Sequence, residues 1–219
     1  MKLYAIGDVH GKIFNYKKLL ESLPADASTI QLGDMGLGFE GVYLPKLSGQ
    51  HKFIRGNHDS PSECREHLNY LGEFGYDETL KIFYLGGGYS IDRDMRIEGV
   101  SWWRDEELSF TDLENAIQQY REVKPRIVVS HECPQEVGDY LLRSLGWIGG
   151  MYPDPYGKAY KARKLLSRTA GALQTMFEAH QPEYWFFGHY HVDKVFWFKE
   201  YKTEFRVLNE LSVAEVPLK

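Results

Sequence analysis

Five short apolar runs punctuate this chain, and each ends in a polar cluster, most of them flanked by glycine. Leu3 to Ile6 leads into Gly7-Asp8-Val9-His10-Gly11, and Ser28 to Leu32 into Gly33-Asp34-Met35-Gly36. His51 to Ile54 leads into Gly56-Asn57-His58-Asp59, Arg126 to Val129 into Ser130-His131-Glu132, and Glu183 to Phe187 into Gly188-His189-Tyr190-His191. Continuous apolar runs of this length predict buried strands. Helical spacing appears between them. Residues 13–23 carry Phe14, Leu19, Leu20 and Leu23, and residues 168–180 carry Leu173, Met176 and Phe177 on one face. Thr111, with Glu114 three residues on, reads as the capping box of a further helix. Two stretches, 83–103 and 192–213, are rich in aromatic and β-branched residues and predict strands, partly antiparallel. Gly86-Gly87-Gly88 breaks the first of them. Two prolines and four glycines make 146–157 a predicted loop. The pattern predicts a mixed α/β fold built around sheets, with ligands at the carboxyl ends of strands.

Composition narrows the class. The chain has 219 residues, 43% of them hydrophobic, enough for a sizeable core. No repeat or Ser/Pro-rich linker divides it, so one domain over 1–219 is expected. A net charge of -5 argues against coating nucleic acid or an anionic membrane, while leaving room for a local basic pocket. Cys64 and Cys133 form no CxxC motif and no disulfide framework. No signal peptide or membrane-spanning run is visible, so a soluble, cytoplasmic protein is expected.

Candidate chemistry changes the picture more. Five of the eight histidines fall in the polar clusters. Asp and His at buried strand ends destabilise a fold unless they are paired or bind metal. The order Asp-x-His, Gly-Asp, Gly-Asn-His-Asp, His, Gly-His-x-His resembles the calcineurin-like metallophosphoesterase superfamily, over Asp8 to His191. Residues 86–93 with Trp102-Trp103 resemble its small bacterial and phage-type members more loosely.

The resemblance implies a four-layer fold, a central β-sandwich of mixed sheets flanked by helices. It implies that Asp8, His10 and His191 bind one divalent metal, that Asn57, His131 and His189 bind a second, and that Asp34 bridges both. Such mixed N and O donors suit Mn2+ first, with Fe, Zn or Ni as alternatives. A bridging carboxylate sets two cations roughly 3.5–4 Å apart, where they clamp an in-line displacement and supply a bridging hydroxide. His58 is implied as general acid. Asn57 also lies where it would contact substrate.

The chain departs from the protein-phosphatase branch at Gly33-Asp34-Met35-Gly36-Leu37-Gly38-Phe39-Glu40, which lacks the second Asp and the Arg of a GDxxDRG motif. Asp59 and Glu40 are the acids available to orient His58, and Asp59 equally suits a helix cap near Ser60-Pro61. Arg55 and Arg93 are candidate phosphate-binding residues, with Arg104 behind them. Arg55, at a strand end, reads rather as a structural ion pair behind the site, and Arg93 as paired to Asp92. Trp102 and Trp103 read as core packing or as a stacking surface for a base. Glu132 reads as a supporter of the metal ligands or as solvated. The basic run Lys158, Lys161, Arg163, Lys164 and Arg168 reads as a solvated helix face or an attractant for polyanions.

The expected function is hydrolysis of phosphomonoesters, on a phosphoprotein or a small phosphate. The alternative is a nucleotide phosphodiesterase or dinucleoside polyphosphate hydrolase. A DNA nuclease is disfavoured by the acidic balance, and stable nucleic-acid binding with it. An inactive metal-binding scaffold is the reading of another class. Its sign would be loss of His58 or a ligand, and neither is lost.

Overall fold

The computed structural model describes residues 2–146 and 167–218. The elements run β1 (Lys2–Ile6), α1 (Ile13–Ser22), β2 (Ala27–Gln31), β3 (His51–Phe53), α2 (Pro61–Glu66), β4 (Phe74–Asp77) and β5 (Ile82–Leu85). A 3-10 turn (Arg93–Met95) follows, then α3 (Phe110–Val123), β6 (Ile127–Ser130), α4 (Gln135–Ser144), α5 (Arg168–Ala179), β7 (Tyr184–Phe187), β8 (Lys194–Phe196), β9 (Glu204–Val207) and β10 (Val213–Val216). All five apolar runs of the sequence become strands, and β2 and β6 are buried at every position.

Two mixed sheets form. The first has the order β10-β1-β2-β3, parallel except for β10. The second has the order β4-β5-β6-β7-β9-β8, with antiparallel edges and a parallel centre. Leu3, Ala5 and Ile30 of the first sheet pack with Ile82, Val129 and Phe186 of the second, so the sheets are stacked face to face. Outside the first sheet, Tyr16 of α1 and Cys64 of α2 pack on Ile6 and Phe53. Outside the second, Tyr120, Leu141 and Phe177 of α3, α4 and α5 pack on Phe83, Val128 and Trp185. The result is the four-layer sandwich that the motifs implied. Strands covered on both faces need no polar alternation, which is why the runs read as continuous.

Two expectations are corrected. α3 is capped by Ser109, not Thr111: its side chain accepts from the Asp112 backbone N–H at 3.1 Å. The strand predicted over 83–103 stops at Leu85. Beyond the glycines the chain forms the 3-10 turn and a loop, with only the isolated bridge between Glu98 and Trp102. A Cβ on Gly87, at φ +82, would collide with the Glu106 carbonyl, so the chain folds back here rather than continuing as a strand. The predicted 146–157 loop beyond Gly146 and most of the 158–168 basic run lie outside the described residues. Among the described residues no helix is long and apolar enough to cross a membrane.

Candidate metal centre

Parallel strands in both sheets deliver their following residues to one place. β1, β2 and β3 lead to Asp8 and His10, to Asp34, and to Asn57 and His58; β6 and β7 lead to His131 and to His189 and His191. Carboxyl ends of parallel strands are where open α/β sheets place their ligands. Two groups of donor atoms converge, Asp8 with His10, Asp34 and His191, and Asp34 with His131 and His189. Each group draws on both sheets. Asn57 Oδ1 joins the second group, 2.9 Å from His131 Nε2.

The two oxygens of Asp34 divide between the groups. Oδ1 lies 3.3 Å from His131 Nε2, and Oδ2 lies 3.8 Å from His10 Nε2. We call the Asn57, His131 and His189 side the inner half, and the Asp8, His10 and His191 side the outer half. In the inner half His131 Nδ1 is 2.8 Å from the Leu32 carbonyl, which turns Nε2 toward the cluster. His189 Nδ1 is 3.2 Å from His131 Nε2, while its Nε2 faces Glu132 Oε2 at 3.5 Å. In the outer half His10 and His191 bring their Nε2 atoms within 2.8 Å of each other, and His191 Nε2 is 3.2 Å from Asp8 Oδ2.

Backbone geometry enforces this convergence. His10, Asp34, His189 and His191 all have positive φ, between 47° and 69°. Such conformations strain a non-glycine residue by about 1–3 kcal/mol and persist only where surroundings dictate them. Alternation along a strand would send His189 and His191 to the same face and Tyr190 to the other; instead regular geometry ends at Phe187, and both histidines turn in left-handed conformations. Gly188 is required there, because a Cβ would collide with Asp8 Oδ1.

Electrostatics show what charge the cluster calls for. Burial works to raise the Asp8 pKa, but hydrogen bonds from His10 and His191 hold it well below the ordinary carboxylate range. Burial works to lower the His10 pKa, and Asp8 with Asp34 overcomes it, pushing it up to about 9. His131 is raised against burial by the same two carboxylates. Two buried carboxylates therefore call for positive charge, and among the described residues the imidazoles lie nearest to carry it. Divalent cations meet that demand and use the donors already present, so the residues fit a pair of metal ions.

The remaining candidates scatter. His58 borders the cluster: its backbone N–H donates to Asp34 Oδ1 at 2.7 Å, and its ring is 5.1 Å from that of His10. Asp59 does not orient it, nor does it cap α2, which begins after Ser60. The Asp59 carboxylate accepts from the backbone N–H groups of Met35, Gly36, Leu37 and Gly56, tying the two ligand-bearing loops together. Glu40 is exposed. Arg55 is 1% exposed; its Nε donates to Glu73 at 2.7 Å and its Nη1 to the Glu106 carbonyl at 2.5 Å, so it is a structural cation rather than a grip on phosphate. Arg93 lies over the Tyr89 ring, 4.7 Å from its centre. Arg104 pairs with Glu98 at 3.0 Å. Trp102 and Trp103 are half-buried and stand outside all three buried clusters, Trp103 with its ring against Phe39. Glu132 is fully buried and receives the Tyr190 hydroxyl at 2.8 Å.

Sequence reading missed Arg96. Its guanidinium lies against the His58 ring, Nη2 2.5 Å from Nε2 and Nη1 3.1 Å from Nδ1. Asp92 holds it through a 2.8 Å ion pair, and the Ser101 carbonyl accepts from it at 3.2 Å. The only signal was the four-residue spacing of Asp92 and Arg96, which sets such a pair on one side of a helical turn.

A family model, calcineurin-like phosphoesterase, matches residues 1–193. The search of curated proteins finds no match. Among solved structures, phosphopantetheinyl hydrolase from Mycobacterium tuberculosis is 12% identical with a TM-score of 0.46, over 95% of this chain and 89% of that one. GAP50, the anchor in the inner membrane complex of Plasmodium, is 12% identical with a TM-score of 0.47, over 95% of this chain and 71% of that one.

Proposed function

Since the chain belongs to the calcineurin-like phosphoesterase family, and so is a metal-dependent phosphoester hydrolase, we propose that it hydrolyses phosphomonoesters at two divalent cations that share Asp34. The observation that carries this reading is the division of the Asp34 oxygens between two donor groups. Cations held there would polarise the phosphoryl oxygens and make a water acidic enough to serve as nucleophile near neutral pH.

The chain's own residues do the rest. Asp8, His10 and His191 hold one ion, and Asn57, His131 and His189 the other. His58 stands at the rim, placed by its backbone bond to Asp34, where its ring can protonate the departing ester oxygen. Arg96, anchored by Asp92, would turn its guanidinium fork from the His58 ring to meet a terminal phosphoryl group. A monoester dianion gains more from that fork than a diester monoanion does. Arg96 thus takes the place expected of Arg55 or Arg93.

A nucleotide diester is the second reading, favoured by one feature: the Phe39 ring lies parallel to His58 at 6.1 Å and meets Trp103 edge-on, an aromatic corner on which a base can stack. Rates on a chromogenic phosphomonoester and on its diester counterpart, with Mn2+ and with chelator, separate the readings. Faster monoester turnover, abolished by chelator, is expected. Faster diester turnover would transfer the assignment to the second reading.

A further inference from the structure

An asparagine amide has two ends, and only one suits a cation. The carbonyl Oδ1 can ligate; the NH2 group repels. Rotation by half a turn exchanges them with almost no change in shape. Something must therefore choose the end of Asn57 that faces His131 and Asp34.

The choice is traceable through two buried residues. Asn57 Nδ2 is 2.9 Å from Ser90 Oγ. Ser90 Oγ is in turn 2.5 Å from Glu106 Oε2, and the Ser90 backbone N–H donates to Glu106 Oε1 at 3.1 Å. An ionised carboxylate only accepts, and a hydroxyl has one proton to give. The Ser90 proton goes to Glu106, so Ser90 Oγ can only accept from Asn57. The amide NH2 is pinned to that side, and Oδ1 is turned into the donor cluster. Ser90, Asn57 and Glu106 are 1%, 2% and 3% exposed, so water does not compete for these bonds. Burial pushes the Glu106 carboxyl up to about 7, against the Ser90 bonds that pull it down, so above that pH the carboxylate is the acceptor the relay needs. Arg55, which grips the Glu106 carbonyl, fixes the backbone from which this carboxylate projects.

We propose that Ser90 and Glu106 are positioning residues that set the polarity of the Asn57 amide and thereby select the cation of the inner half. This rests on the reading of the cluster as a two-metal centre. The outer half has no share in the relay, and the proposal predicts an effect confined to one ion.

The test is a calorimetric Mn2+ titration of the wild type, Ser90→Ala and Glu106→Gln, with thermal unfolding of each in chelator. Ser90→Ala removes the acceptor for Asn57. Glu106→Gln keeps the shape but puts an NH2 group where an acceptor stood, which opposes or reverses the relay. Each variant is expected to bind the inner ion about 10–100-fold more weakly, the range for outer-shell partners of metal ligands. The outer ion should keep its wild-type affinity. Wild-type affinity for both ions in both variants would overturn the proposal. So would equal weakening of both ions with a lower metal-free melting temperature, which would make the relay a general brace. A wild type that takes up fewer than two ions would overturn the two-metal reading itself, and the proposal with it.

Discussion

Around Asp34 the donor cluster is built in two ways. In the inner half the His131 side chain is fully buried, and each donor has a partner behind it: Leu32 for His131, Ser90 for Asn57, Glu132 for His189. In the outer half the His191 side chain is 46% exposed, and its Nδ1 stands 3.9 Å from Glu210, a carboxylate shared with Lys12. Ligands locked by outer partners hold metal more tightly, since the ordering entropy is already spent in folding. The inner half is therefore expected to keep its cation, and the outer half to exchange it and to face incoming water and substrate.

The largest expected effect removes what the halves share. Asp34→Asn should cost both ions and lower kcat by more than about 10^3-fold, because polarising a phosphoryl oxygen is worth several kcal/mol and about 1.4 kcal/mol is tenfold. Metal analysis of the purified variant checks this, and two ions retained would break the comparison at its centre. Next is His58→Ala, expected to lose roughly 10^2- to 10^3-fold on alkyl phosphates, within the range for general acids. The loss should shrink on aryl esters with good leaving groups while metal content stays at the wild-type level. Equal losses on both substrates would remove His58 from the proton-donor role.

Arg96→Ala comes third. Charge-assisted hydrogen bonds are worth about 1.5–3 kcal/mol, so kcat/KM should fall about 10–100-fold on a monoester. The fall should be smaller on a diester, and equal falls would deny Arg96 the reading of charge. The smallest pair sharpens the comparison itself. Glu132→Gln should weaken the inner ion about tenfold, whereas Glu210→Gln, on a partly exposed carboxylate, should shift the outer ion by no more than about twofold. The reverse order in a Mn2+ titration would mean that the outer half is the braced one.

Much of this was legible in the chain because burial and metal chemistry leave strong marks. Strands covered on both faces appear as unbroken apolar runs, so β1, β2, β3, β6 and β7 were visible within a residue or two. The donors sit directly after them, where strand direction alone brings them together. The left-handed turns at His189 and His191 were not legible, since alternation along a strand already puts both on one face. What else stayed hidden lies in 86–106. Its aromatic and β-branched residues resemble a strand, but the glycines fold it back and turn Ser90, Arg96 and Glu106 toward the cluster. Which arginine reaches His58 depends on that path and not on local pattern, so Arg55 and Arg93 stood out in the sequence where Arg96 did not. Asp59 was misread for a related reason: its four amide partners come from two separate loops, and spacing along the chain does not show that closure.

The sharing of Asp34 is tested most directly by electron paramagnetic resonance of the wild-type protein during stepwise addition of Mn2+. The first equivalent should give the spectrum of an isolated ion in the inner half. The second should replace that spectrum with one of a magnetically coupled pair, as two ions on one carboxylate require. A signal that simply doubles without coupling, or that saturates at one ion, would contradict a centre bridged by Asp34.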